Sequence, residues 1–329
     1  MRRRDFITLL GSATAWPLTA HAQQPVGVRH IGLLMAQSES NPEVQRWVAA
    51  FREAMTRLGW TEGRNVHFEF RWAGTDPERM RQGAQELVGL QPDLILTSSS
   101  PTTALLLKAT STILIVFANI IDPVGQGFVA TLSRPGGNVT GLVNLEGSMA
   151  GKWMNLLKQV MPSITRVVIP FEPASTPYAN YYLNYFRSAG QSLGITIIDG
   201  PVADIAAFET LATAQAREPN TGFALMPSAF MSGHTPEITA LLSRNALAAI
   251  YTTRDFAAAG GLMAYGNDIA DNYRQAATLV DRILKGEKPS ELPVQIPVKF
   301  ELDINLKTAR ALGLTVPQVL LATADEVIE

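Results

Sequence analysis

Residues 94–103 read Leu94-Ile95-Leu96-Thr97-Ser98-Ser99-Ser100-Pro101-Thr102-Thr103, and this stretch decides the fold class. An aliphatic run without polar alternation is the pattern of a strand buried on both faces, as in a parallel sheet covered by helices. The serines then offer a cap. Pro101 suits a first helical turn, where a missing N–H costs nothing, and a helix is expected over Thr103–Ala109 with Ser100 capping it. A strand running directly into a capped helix is the repeating unit of α/β proteins.

The unit recurs on both sides. Further aliphatic runs are Ile113–Phe117, Val167–Ile169, Ile195–Ile198, Phe223–Met226 and Leu247–Tyr251. Upstream, Val28–Met35 reads as a first buried strand, and Asn41-Pro42-Glu43 opens a helix with a capping side chain, a proline at its start and an acid at its positive end. Val44, Trp47, Val48, Phe51, Met55 and Leu58 fall three or four apart on one face of that helix, which Gly59 ends. Val66, Phe68, Phe70 and Trp72 alternate with His67, Glu69 and Arg71, the period of a half-exposed strand. Helical spacing returns at Ile269, Tyr273, Ala276, Val280 and Ile283. The expected architecture is α/β, with two doubly wound parallel-sheet lobes. The boundary between them is expected near Arg134-Pro135-Gly136-Gly137-Asn138, a turn-rich stretch before Val139–Val143, and a second crossing near Gly261–Gly266. This assigns 23–143 with about 264–296 to one lobe, and 144–263 with about 297–329 to the other.

A chain of 329 residues, 47% hydrophobic and 17% charged, can bury two such cores. Arg2-Arg3-Arg4 precedes an apolar stretch from Phe6 to Leu18, and Ala20-His21-Ala22 offers a cut before Gln23, so residues 1–22 read as an export signal. The order Arg3-Arg4-Asp5-Phe6-Ile7 resembles a twin-arginine signal. Those 22 residues carry +2, so their removal takes the net charge from −2 to −4. A mildly acidic surface repels phosphates and anionic lipids, so no nucleic acid and no membrane insertion is expected. The chain has no cysteine, which excludes disulfides, thiolate catalysis and Cys-ligated zinc.

In open parallel sheets, ligands sit beyond the carboxyl ends of strands. Those ends supply the candidates: Ser38 after the first strand; Ser99, Ser100 and Thr102 at the serine corner; Asn119 and Asp122; Tyr178; Ser228 and Phe230; and Arg254. The serine corner combines free N–H groups with the positive end of a helix dipole, which suits a carboxylate or phosphate. Asn119 and Asp122 can accept from an amine or hydroxyl, although Asp before Pro123 is also an ordinary turn former. Arg254 reads more readily as a solvated or lobe-bridging cation than as a ligand contact. Catalytic signals are poor. His30, His67 and His234 lack metal-ligand spacing, and no nucleophile elbow or phosphate loop is present. Gly125-Gln126-Gly127-Phe128-Val129-Ala130 matches a dinucleotide fingerprint but does not directly follow its strand. No cofactor, metal or catalytic residue is expected.

Several longer segments carry a family resemblance: Gly59-Trp60-Thr61-Glu62-Gly63-Arg64-Asn65-Val66, Leu132-Ser133-Arg134-Pro135-Gly136-Gly137-Asn138-Val139-Thr140-Gly141, Ala259–Gly266, Arg282–Pro289, and Phe300-Glu301-Leu302 with Ile304–Leu314. The chain resembles the ABC transporter substrate-binding family that includes tryptophan- and other aromatic amino acid-binding proteins. The resemblance implies a type I periplasmic binding protein whose lobes are joined by a multi-strand hinge. It also implies a soluble periplasmic monomer that binds a small-molecule solute and hands it to a cognate membrane permease and its ATPase. Members often carry Asp after the proline at the strand end where this chain has Ser228. That leaves an amino acid and an organic carboxylate both open as the solute. A ligand sensor for a membrane receptor and, further off, a secreted hydrolase are the rival functions.

Overall fold

The computed structural model describes residues 27–329. The expected export signal and its cut before Gln23 lie outside them. The first lobe holds β1 (Arg29–Met35), α1 (Pro42–Arg57), β2 (Val66–Trp72), α2 (Pro77–Gly89), β3 (Leu94–Thr97), α3 (Ser100–Ala109), β4 (Leu114–Ile120) and β5 (Val139–Val143). Its five strands pair in the order β2-β1-β3-β4-β5, all parallel. The alternating strand β2 lies at the edge, where one face needs no apolar cover.

The second lobe begins with α4 (Met149–Val160), β6 (Arg166–Phe171), α5 (Ala179–Leu193), β7 (Thr196–Pro201), α6 (Ile205–Gln215) and β8 (Thr221–Ala224). It continues through α7 (Ala229–Gly233), α8 (Thr235–Arg244), β9 (Ala248–Tyr251), α9 (Arg254–Ala258) and β10 (Met263–Asn267). Then α10 (Ile269–Leu284) returns to the first lobe. The chain crosses once more into β11 (Phe300–Asn305), α11 (Leu306–Ala311), α12 (Gln318–Thr323) and β12 (Glu326–Ile328). The seven strands run in the order β12-β11-β10-β9-β8-β6-β7. All neighbours are parallel except β10 and β11, because the chain re-enters this lobe from the opposite end.

The first crossing falls after Val143, at the assigned bound of 143 and not within the turn-rich stretch 134–138 itself, since β5 stays in the first sheet beside β4. The second crossing falls after Asn267 rather than at Ala264, because β10 pairs with β9 and β11 along its length. Gly266 lets the chains approach there: a Cβ on it would overlap the Thr252 carbonyl oxygen. The third crossing pairs beside the first, with the Val143 N–H donating to the Gln295 carbonyl at 2.9 Å. The Asn272 side-chain amide donates to the carbonyls of Ala118 and Val143 at 3.3 and 3.2 Å, tying α10 to the crossing region.

Helix α10 belongs with the first lobe because its apolar face meets that of α1. Trp47 stacks on Tyr273 at 5.9 Å, and Val48, Phe51, Ala276, Val280 and Ile283 are buried in the same cluster. The Gly59-Trp60 motif reinforces that joint. Trp60 is buried, and its indole N–H donates to the Asp281 carboxylate at 2.9 Å across 221 positions of sequence. A hydrogen bond to a buried charge contributes about 1.5–3 kcal/mol. Trp60→Phe is therefore expected to destabilise the chain by about 2 kcal/mol in urea denaturation. A midpoint unchanged at equal slope would remove this bond from the account.

Candidate ligand cleft between the lobes

The carboxyl ends of β3, β4 and β5 face those of β6, β8 and β9 across a cavity of about 510 Å³ including its mouth. The lobes touch around it. Asn41, the cap of α1, donates through Nδ2 to the Ser232 carbonyl at 3.4 Å, and Ala229 packs with Ala36, Ala73 and Met80 of the opposite lobe.

Much of the serine corner lines this cavity. Ser99, not Ser100, caps α3: its Oγ accepts from the Thr102 N–H at 3.3 Å. The shift of one residue puts Ser100 in the first turn, where Pro101 has no N–H and the Thr103 N–H is taken by the Ser99 carbonyl at 3.0 Å. The Ser100 Oγ accepts from the Gln126 side chain at 3.0 Å, which leaves its own proton to be donated elsewhere. Ser98 works in the same way on Gln37. Its Oγ accepts from the Ala36 N–H at 2.8 Å and donates to Gln37 Oε1 at 3.1 Å, so the Gln37 Nε2 is what the cavity is offered. This side of the cleft is rich in donors.

Asn119 and Asn144, at the ends of β4 and β5, supply the other polarity. Both line the cavity, and neither side-chain amide makes a hydrogen bond among the described residues; each Oδ1 is shut from solvent with no partner. A buried unpaired carbonyl oxygen costs about 1–3 kcal/mol. Two lining one cleft mark a place built to be completed. From the second lobe come Ser175, Tyr178, Ser228, Thr252 and Thr253. The Tyr178 hydroxyl donates to the Pro227 carbonyl at 2.7 Å, and burial pushes it well above its usual range. Ser228 caps α7 by accepting from the Met231 N–H at 3.0 Å. Trp47, Ile121, Ala229 and Ile269 give apolar wall, and no lining side chain is an ionised acid or base.

Of the expected residues, Ser99, Ser100, Asn119, Tyr178 and Ser228 are therefore brought together. Thr102 lies directly behind them, fully buried, its hydroxyl bonded to Thr97 and Ser99 at 2.6 and 2.8 Å. Four are elsewhere. Ser38 is exposed and bonds Ser40, because the chain turns outward one residue past Gln37. Asp122, at φ 42°, spends its carboxylate on the Gly125 N–H at 2.9 Å and forms a turn. A Cβ on Gly125 would overlap that carboxylate, which gives the first glycine of the dinucleotide-like motif a local reason. Phe230 packs in the second lobe's core against His234, with ring centroids 4.6 Å apart. Arg254 pairs with Glu326 of its own lobe. The fold adds Gln37, Trp47, Asn144, Ser175, Thr252, Thr253 and Ile269, none of which the sequence marks as a ligand contact. His30 and His67 lie beside one another on neighbouring strands away from the cleft. Among the described residues, no group of three or more His, Cys, Asp or Glu is placed to hold a metal ion, and no helix is long and apolar enough to cross a membrane.

Two doubly wound lobes, three crossings and one polar cavity at their facing strand ends define the class of two-lobed solute-binding proteins. The chain belongs to the ABC transporter substrate binding protein family, whose model matches residues 34–328. It is 21% identical over 286 residues to a tyrosine-binding protein of Clostridioides difficile strain R20291, covering 87% of this chain and 81% of that one. Among solved structures it is similar to an ABC domain in complex with L-Trp from Streptococcus pneumonia, at TM-score 0.85 and 22% identity over 92% of this chain and all of that one. A conserved domain protein of Vibrio cholerae gives the same TM-score at 25% identity, covering 91% of this chain and 99% of its own. The fold is that of type I periplasmic binding proteins.

Proposed function

We propose that this protein binds an L-α-amino acid in the interlobe cleft, in the periplasm, and delivers it as a monomer to the permease and ATPase of an importer. The observation that carries the choice is the pair of unpartnered amides, Asn119 and Asn144. An organic carboxylate would use the donors of Ser100 and Gln37 and, with both amides oriented as they stand, leave the two amide oxygens unpaired. An α-amino acid satisfies both sets, with its carboxylate at the serine corner and its ammonium on the Asn oxygens. These acceptors stand in for the acid that Ser228 replaces.

The cleft supports reversible trapping. A solute touching both lobes binds the closed form more tightly than the open one, which is what a population shift requires. Burying about 200 Å² of side chain against Trp47 and Ile269 contributes roughly 5 kcal/mol. Micromolar affinity needs about 8 kcal/mol, so polar contacts must supply the rest and offset ordering costs. The test is a thermal-shift screen of the exported chain against L-amino acids, their deaminated acids and their decarboxylated amines. The L-amino acids should raise the melting temperature, and neither truncated series should do so to the same extent. A response to the deaminated acids alone would replace this reading with the carboxylate one. Conversion of the added compound would revive a hydrolase.

A further inference from the structure

A second interlobe pocket, of about 340 Å³ including the open space at its mouth, shares three wall residues with the cavity: Trp47, Thr253 and Ile269. Where the cavity has no ionised lining, this pocket is acidic. Glu43 comes from α1, Asp255 from α9, Asp268 from the cap of α10, and Glu301 and Asp303 from β11. The cations nearby are already committed. Arg46 holds Glu43 at 2.7 Å, and Arg254 holds Glu326. Arg274 holds Asp268 and Asp271 at 3.2 and 2.5 Å, and Lys299 holds Glu301 at 2.5 Å.

That leaves Asp255 and Asp303. The Thr235 hydroxyl donates to Asp255 at 3.5 Å. Asp303 is only 4% exposed, yet its carboxylate makes no hydrogen bond and no ion pair among the described residues. A buried carboxylate without a partner is costly in a folded chain.

Asn267 points the same way independently. It lines this pocket at 5% exposure. Its amide orientation is fixed by its neighbour. Asn272 gives both protons of its amide to the carbonyls of Ala118 and Val143, so its Oδ1 must accept, and Asn267 Nδ2 donates to it at 3.2 Å. The Asn267 Oδ1 is then a pure acceptor, buried and unpartnered. An uncommitted carboxylate, an uncommitted amide oxygen and a tryptophan face between them and the main cavity are what an alkylammonium needs: charge, an acceptor and an apolar wall for its methylenes.

We propose that this pocket is the subsite for a primary ammonium group at the far end of the solute, so that the amino acid bound next door is a basic one of the lysine or ornithine type. The inference rests on the amino acid reading above. Shortage of positive charge in the pocket agrees with it. Burial lifts Asp303 to about 6 and raises Asp255 and Glu43, against the lowering influence of Arg254 on Asp303 and of Arg46 on the other two.

The test compares L-lysine with L-norleucine, which has a side chain of similar length without the ammonium, by calorimetry on the exported chain and its Asp303→Asn variant. Lysine should bind at least tenfold more tightly than norleucine at pH 7.5. Asp303→Asn should reduce that preference to threefold or less. At pH 6, lysine binding to the wild-type chain should release protons, read as a dependence of the heat on buffer ionisation, and the variant should lose that release. Norleucine or tyrosine binding as tightly as lysine would overturn the basic end while leaving the amino acid reading intact. A lysine preference undiminished in Asp303→Asn would overturn it as well. If no amino acid binds, both proposals fall together.

Discussion

Replacing Asn119 and Asn144 together by leucine is expected to weaken amino acid binding at least 100-fold and to make the free protein more stable. The two effects have one cause. In the free chain each Oδ1 is buried without a partner, a cost of about 1–3 kcal/mol that leucine, close to asparagine in shape, does not carry. In the complex each oxygen accepts from an ammonium, and hydrogen bonds to charged groups contribute about 1.5–3 kcal/mol. With about 1.4 kcal/mol per decade, two such bonds span two decades or more. Both line one cavity, so the single substitutions need not sum to the double. Calorimetry gives the affinity, and thermal unfolding without ligand gives the stability, with about 1.5 °C expected per kcal/mol in a chain of this size. A folded double variant binding within threefold of wild type would remove these amides from the site. Loss of stability together with binding would make them structural.

The outcome at each residue follows from how local its cause is. The strand-into-helix pattern of Leu94–Ala109 is legible because its signals, aliphatic run, serine cap and proline, act within a few residues of one another. The cap itself sits at Ser99 rather than Ser100, because three consecutive serines are chemically equivalent until the turn geometry chooses among them. Asp122 and Arg254 have the right chemistry for ligands, but nearer partners, the Gly125 N–H and Glu326, claim them. Asn144 escapes a reading of the sequence for the opposite reason. Nothing local distinguishes it, and its role arises only because β5 stays in the first sheet and ends beside Asn119. Trp47 reads as one more apolar residue on a helix face, and so it is against Tyr273. Its second face meets the cleft only because the second lobe closes over it. The re-entry of β11 antiparallel to β10 likewise depends on which end of the lobe the third crossing reaches, a distance no periodicity encodes.

Asp303→Asn is expected to stabilise the ligand-free protein by about 1–2 kcal/mol at pH 7.5, less than the full shift because the carboxylate keeps some contact with water, and hardly at all at pH 4. Asp303 titrates at about 6 in the fold, raised first by burial and then by the neighbouring Glu326, Glu301 and Asp325, whereas an unfolded aspartate titrates near about 3.9. Between those values the folded chain holds a proton that the unfolded chain has lost. Stability owed to the protonated form is therefore complete below about pH 4, declines as pH rises to about 6, and is level above it. A titration midpoint displaced by one pH unit corresponds to about 1.36 kcal/mol, and the interval between the two midpoints sets an upper bound on the loss, which solvent at the carboxylate reduces. Asparagine carries no charge at any pH, so the difference between the two proteins should open across that interval and then stay constant. Urea midpoints at pH 4, 5, 6 and 7.5 would trace it. Asp255 and Glu43 also rise in the fold and are present in both proteins, so their contribution cancels in the comparison. A gain that is the same at pH 4 as at pH 7.5 would mean that the substitution relieves packing rather than charge. A gain that disappears when lysine is added would link the buried carboxylate directly to the solute, because an ammonium beside Asp303 removes the penalty that the asparagine removes.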